Sequence, residues 1–170
     1  MIRGEKVVIR GIQKEDASQI YKWVNEEQLR DFTGTLYPVS EFEHEKWIAN
    51  VTTSQNTKLF AICVDNKCIG TIGLKNFDTT SRNVELYISI GENNLQNNGY
   101  GSDAVSTLTR FCFEHLNIHK VYLKVFASNK RAVRCYEKAG FIEEGMLKEH
   151  HFSKGKYEDI LILAKIYDNT

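Results

Sequence analysis

From Asn83 to Phe126 the chain runs strand, turn, long helix, strand, and that order restricts the fold more than any other feature. In "NVELYISI", Val84, Leu86, Ile88 and Ile90 fall on one side, while Glu85, Tyr87 and Ser89 fall on the other. The turn "NNLQNNGYG" follows. Then Ala104, Val105, Leu108, Phe111, Cys112 and Leu116 recur at helical spacing, and "VYLKVF" reads as a second strand. A β-α-β unit in this position argues for an α/β layer fold with a mixed sheet.

The flanking segments extend that sheet. "KVVIR" at residues 6 to 10 reads as a first strand, and a helix follows from about Lys14 with Ala17, Ile20, Tyr21, Trp23 and Val24 on its apolar stripe. "DFTGTLYP" breaks the pattern before a helix running from about Glu41 to Val51. "LFAICV" and "CIGTIGL" form a hairpin about Asp65-Asn66, which sets Cys63 opposite Cys68. "KRAVRCYEKA" is a helix closed by Gly140, and strands near 141 to 149 and 157 to 166 are joined through "SKGK". The expected order is β-α-α-β-β-β-α-β-α-β-β. With Pro38 the sole proline and no Gly/Ser-rich linker, residues 1–170 read as a single domain.

Lys plus Arg balance Asp plus Glu at 22 each, so charge points to neither nucleic acid nor a membrane surface. No apolar run is long enough to span a bilayer, and "MIRGEKVVIRGIQ" lacks the core of a signal peptide, which makes the cytoplasm the expected compartment. There the four cysteines read as reduced and structural, and their spacing matches no metal knuckle, so no metal is expected. The sequence leaves monomer and homo-oligomer both open.

The turn before the long helix is the first candidate site. A helix starting near Ser102 presents about four unpaired backbone N–H groups and an effective charge of roughly +0.5. Gly99 and Gly101 let a ligand approach that end closely, which suits a phosphate or diphosphate. No lysine stands inside the loop. The same residues read equally as a plain turn with Ser102 or Asp103 capping the helix. Downstream, Asn129 stands at the N-cap position of the next helix, and Tyr136 lies about two turns along with small Ala132 and Ala139 on its face.

Together these stretches resemble the GNAT superfamily of acetyl-CoA-dependent N-acetyltransferases. Gln96, Gly99 and Gly101 match its Gln-x-x-Gly-x-Gly pyrophosphate loop, and "SNKRAVRCYEKAGF" matches its Asn-x-x-Ala/Ser-x-x-x-Tyr signature. The resemblance covers essentially the whole chain. It implies a central, mixed, largely antiparallel sheet with splayed middle strands and helices on both faces. It further implies acetyl-CoA between "NVELYISI" and "KVYLKVF", with its pantetheine arm on the backbone of Ile88, Ser89 and Ile90. The diphosphate would rest on the N–H groups of Gln96, Asn97, Asn98, Gly99, Tyr100, Gly101 and Ser102. Asn129 would bond the arm, with Ala132 beside it and Tyr136 by the sulfur.

The implied chemistry is direct attack of a primary amine on a thioester, which builds an oxyanion and expels a thiolate. A backbone N–H of the splayed strand can stabilise the oxyanion, and the Tyr136 phenol, of reference pKa about 10, can protonate the sulfur. Glu85, the one carboxylate inside the central strand, is the candidate base; orienting substrate or pairing with Lys124 are its other readings. "LRDFTG", Trp47 and the C-terminal "EEGMLKEHHFSKGKYEDILILAKI" resemble the branch of ribosomal-protein N-terminal and spermidine acetyltransferases.

That branch implies a protein N-terminus or a small amine as acceptor. A polyamine, an amino-sugar nucleotide or a non-catalytic CoA-sensing role are the alternatives. Residues 13 to 46 carry Glu15, Asp16, Glu26, Glu27, Asp31, Glu41, Glu43 and Glu45 against four basic residues, a charge of minus four that would attract a cationic amine. The acidic pair that polyamine enzymes tend to carry before the proline is replaced here by "GTLYP".

Overall fold

The computed structural model describes residues 1–33, 35–91 and 98–169, and of 31–33 the backbone alone. Its elements are β1 (Ile2–Arg3), β2 (Val8–Gly11), α1 (Asp16–Asn25), α2 (Glu27–Thr33), α3 (Glu41–Thr53), β3 (Lys58–Val64), β4 (Lys67–Asp78), β5 (Asn83–Ile90), α4 (Tyr100–His115), β6 (Lys120–Phe126), α5 (Lys130–Lys138), β7 (Ile142–Ser153) and β8 (Lys156–Ile166). The strands form one sheet in the order β1-β2-β3-β4-β5-β6-β8-β7. Every neighbouring pair is antiparallel except β5 and β6, which run parallel because α4 carries the chain from the end of one to the start of the other.

Local chemistry explains the elements the function depends on. Asp65 and Asn66 adopt φ of 48° and 65°, the left-handed pair of a two-residue hairpin turn, so β3 and β4 meet with Cys63 opposite Cys68 and both thiols free. The α3 N-terminus has a reciprocal cap: Glu43 N donates to Ser40 Oγ (3.2 Å) and Ser40 N to Glu43 Oε2 (2.9 Å). Arg10 grips Asp16 through both guanidinium ends at 2.7 and 3.0 Å, and Gln13 N adds a third bond at 2.8 Å.

Helices cover both faces. On one, α4 and α5 enclose a core including Ile72, Leu74, Val84, Leu86, Leu108, Leu123 and Tyr136. On the other, the first three helices bury Ile20, Trp23 and Leu29 against Ala61, Cys63 and Cys68. A Cβ on Gly91 would stand 2.0 Å from Trp23 ring atoms, so the indole lies flush on the chain just beyond β5.

The structure amends the sequence reading in several places. The first strand begins at Val8, because Lys6 and Val7 belong to a turn closed by Gly4 N–H to Val7 O (2.9 Å), and a two-residue β1 precedes it. The residues "DFT", which open the segment expected to break the helical pattern, close the helix α2 instead. The fourth helix starts at Tyr100, two residues before Ser102. β7 runs on to Ser153, and the turn that joins it to β8 places Lys154 and Gly155 at φ of 51° and 77°.

Candidate active site

β5 and β6 pair only at Asn83↔Lys120, Val84↔Val121 and Glu85↔Tyr122. Beyond that rung β5 continues along β4 as far as Gly70↔Ile90, while β6 continues along β8 to Phe126↔Ile160. The facing edges from Leu86 and Leu123 onward therefore diverge. A strand edge of this kind offers main-chain donors and acceptors to an extended ligand. Ile88, Ser89 and Ile90 lie along it.

At the wide end of the gap stands the N-terminus of α4. Gly99 is its N-cap, with φ of 79°, so the cap position itself brings no side chain to the helix end. Two other helices are closed by side chains: α3 by Ser40 and Glu43, and α5 by Asn129, whose Oδ1 accepts from Ala132 N at 3.2 Å. The first turn of α4 presents the N–H groups of Tyr100, Gly101 and Ser102 at this end of the gap. Gly101 adjoins both other elements: a Cβ there would touch Cys135 Sγ at 3.5 Å and Ile90 Cγ1 at 3.9 Å.

The reading of Ser102 or Asp103 as a cap for α4 is not met. Asp103 turns its carboxylate outward from the helix and receives the N–H groups of Glu5 (3.1 Å), Lys6 (2.7 Å) and Val7 (2.9 Å). Lys6 in turn donates from Nζ to Asn98 O at 3.0 Å. A lysine therefore does reach the loop, from a turn more than ninety residues earlier. The loop sequence carries no signal of it. Gln96 and Asn97 lie outside the described residues.

Tyr136 sits where the β5 core, α4 and α5 converge, 9% exposed, with its ring 6.5 Å from Phe141. Burial raises its phenol well above the ordinary value, and Cys135 adds to the effect, so the hydroxyl keeps its proton. Ile88, Ile90, Tyr100, Ala132 and Cys135 pack around the same cluster.

Glu85 occupies the opposite face by strand alternation, since Val84 and Leu86 point into the cluster that holds Tyr136. The residue is 5% exposed. Asn76 Nδ2 donates to Oε2 at 2.7 Å, and Lys75 Nζ lies 3.9 Å from Oε1. Pairing with Lys124 is not observed, because register sets Glu85 beside Tyr122 at the last rung before the strands part, and Lys124 stands exposed opposite Ile162 of β8. Burial, then Glu85 and Asp78, push the Tyr122 phenol up.

The acidic residues of segment 13–46 do not all face solvent freely. Asp16 is buried against Arg10 and Glu43 is committed to the α3 cap, so neither is available to an incoming cation. On the same side of the sheet a groove of about 230 Å³ is lined by Arg30, Thr35, Leu36, His151, Phe152, Ser153 and Lys154. His151 stacks on Phe126, the last residue of β6, with centroids 4.7 Å apart. Among the described residues no cluster of His, Cys, Asp and Glu could hold a metal, and no helix is long and apolar enough to cross a membrane.

Residues 6–142 match the family described as the acetyltransferase (GNAT) domain. The chain is 28% identical to a prophage-derived uncharacterised N-acetyltransferase of Bacillus subtilis, over 92% of this chain and 87% of the relative. It is 27% identical to spermidine N(1)-acetyltransferase of Vibrio cholerae, over 91% and 90% of the two chains. Its structure superposes with a TM-score of 0.86 on the spermidine N-acetyltransferase of Vibrio cholerae solved with CoA and spermine, at 26% identity and 95% coverage of each chain.

Proposed function

The chain belongs to the GNAT acetyltransferase family and is an N-acetyltransferase; we propose that it moves the acetyl group of acetyl-CoA directly onto a small primary amine. One observation carries this reading: the diverging β5 edge runs into the glycine-capped N-terminus of α4, with Gly101 set between Ile90 and Cys135. Acetyl-CoA supplies an acyl group already activated as a thioester, with a thiol as leaving group.

The residues fit that group. The main chain at Ile88, Ser89 and Ile90 would hold the pantetheine arm, and the N–H groups from Gln96, Asn97 and Asn98 through Gly99, Tyr100 and Gly101 to Ser102 would hold the diphosphate. Asn129 spends its side-chain oxygen on the α5 cap, which leaves its NH₂ end as a separate donor for the arm, with Ala132 small enough to let it pass. The protonated Tyr136 hydroxyl gives its proton to the departing sulfur. Glu85, on the opposite face at the root of the gap, takes the proton of the arriving amine, directly or through water. The two groups thus serve the gap from its two sides.

A polyamine is the first acceptor class to try. Similarity to the Vibrio cholerae spermidine enzymes supports it, as do the acidic residues not tied up locally, exposed Glu15, Glu41 and Glu45 among them. A protein N-terminus is the second reading, favoured by the groove beside Phe126, whose Arg30 and Lys154 suit a peptide better than a polycation.

The test is acetyl-CoA-dependent thiol release across spermidine, N-terminal peptides, lysine and amino sugars. Turnover with at least one amine is expected, and Tyr136→Phe should lower kcat by about 10²-fold. Coenzyme binding with no turnover over the whole panel would point to a sensor instead. Full activity of the Phe variant across pH would remove Tyr136 as the acid.

A further inference from the structure

The N-terminal turn makes a contact that the reading above does not use. Residues Gly4 to Val7 fold back on α4, and one carboxylate, that of Asp103, takes three consecutive main-chain N–H groups from the turn. Gly4 makes this approach possible: a Cβ there would stand 2.4 Å from Asp103 Oδ2 and 2.5 Å from Thr107 Oγ1. The result is a fixed platform from which the Lys6 side chain crosses to the glycine loop. Its Nζ bonds Asn98 O at 3.0 Å and would stand 2.9 Å from a Cβ placed on Gly99.

Two electrostatic consequences follow. Asp103 lies in the first turn of α4, where a free carboxylate would repel a phosphate; three N–H donors instead occupy it. Lys6 is exposed, and its side chain leans over the N-terminal end of the helix as a compact donor group. A lysine has three donor hydrogens and Asn98 O uses one of them, which leaves donors for a phosphoryl oxygen arriving at Gly99.

We propose that Lys6, held in place by the Asp103 clamp, is a phosphate-binding residue for the coenzyme and contacts its diphosphate. The proposal rests on the coenzyme site described above, and the experiment separates the two. Calorimetric titration of the whole chain with CoA tests the site itself: if the unaltered protein does not bind CoA, the site reading fails before Lys6 is reached.

Given binding, Lys6→Gln should weaken CoA by about tenfold, the weight of one charge-assisted contact at a partly exposed position. Dephospho-CoA, which keeps the diphosphate and lacks the 3′-phosphate, should lose affinity equally. Lys6→Arg should restore most of the loss, and the gap between Lys6→Gln and the unaltered chain should narrow as salt is raised. In turnover, Lys6→Gln should raise KM for acetyl-CoA while kcat at saturation holds. Glu5→Gln, a charge change on the same turn, should bind CoA as well as the unaltered chain or better.

Affinity within twofold for Lys6→Gln, judged at an unchanged denaturation midpoint, would overturn the proposal. So would a loss seen with CoA but not dephospho-CoA, which would assign the lysine to the 3′-phosphate. Should Lys6→Gln unfold, Lys6→Met and Lys6→Arg replace it, and equal affinity of that pair would also overturn the proposal.

Discussion

Glu85 brings a charge to the last rung before β5 and β6 part, where only 5% of the residue meets solvent. A buried carboxylate needs hydrogen-bond partners there, and Asn76 supplies a short one from an amide that carries no charge of its own. The isosteric Glu85→Gln change keeps an acceptor for Asn76 and removes the base together with its long ion pair to half-exposed Lys75. We expect kcat/KM to fall by about 10²-fold near neutral pH while the denaturation midpoint stays put. A loss under tenfold, paired with a raised KM for the amine, would make Glu85 a positioning residue. The sequence marked Glu85 through strand alternation, since a carboxylate inside an otherwise apolar strand stands out. It could not mark Asn76. That residue reaches the carboxylate from β4 at φ of 54°, where the β4–β5 register shifts between Lys75 and Asp78. Lys6 was hidden for a related reason, because only the folded chain brings the N-terminal turn onto α4.

At the scale of elements, α1 fixes where β5 ends. Trp23 lies on Gly91, whose N–H also bonds Ile69 O at 2.9 Å, so the exit of the strand is held from the side of the helix and from β4. Gly91→Ala would set a methyl 2.0 Å from ring atoms of a side chain that is itself buried. Neither the indole nor the ladder can yield far, so the variant should lose about 1–3 kcal/mol of stability. Urea titration checks this, and an unchanged midpoint would show that α1 lifts away freely. Long periodic elements such as α4 were readable because their apolar residues repeat over four turns. The seven-residue α2 was not, since a helix of two turns shows no period and "DFTG" resembles a break. β1, with two residues, depends wholly on its pairing with β2. The sequence leaves the α4 cap open between a ligand and Ser102 or Asp103 because the choice turns on where the Asp103 side chain points, which backbone pattern does not encode.

For the molecule as a whole, the β-α-β unit announced a mixed sheet, but the insertion of β8 between β6 and β7 joins segments far apart in sequence, and strand order of that kind has no local signature. The eight strands give the sheet two packed faces, and those faces bury several groups in their protonated forms. Burial lifts the thiols of Cys68 to about 11 and Cys112 to about 12, the Tyr87 phenol to about 12, and that of Tyr136 in the same direction. In the unfolded chain these thiols titrate near 9.0 and the phenols near 10.0. Above pH about 9 the unfolded state therefore sheds protons that the native state retains, and the unfolded state binds fewer of them. Stability should hold level below that pH and then decline towards pH about 12, each such group adding a slope of up to about 1.4 kcal/mol per pH unit. Urea midpoints at pH about 8, 9.5 and 10.5 measure the decline. Cys112→Ala should start from a lower midpoint, having lost buried contacts, yet fall less steeply because one of the titrating groups is gone. A midpoint that stays level across that range in the unaltered chain would mean that these thiols and phenols ionise in the native state as readily as in the unfolded one, and the packing of both faces would have to be looser than the burial of Cys112 implies.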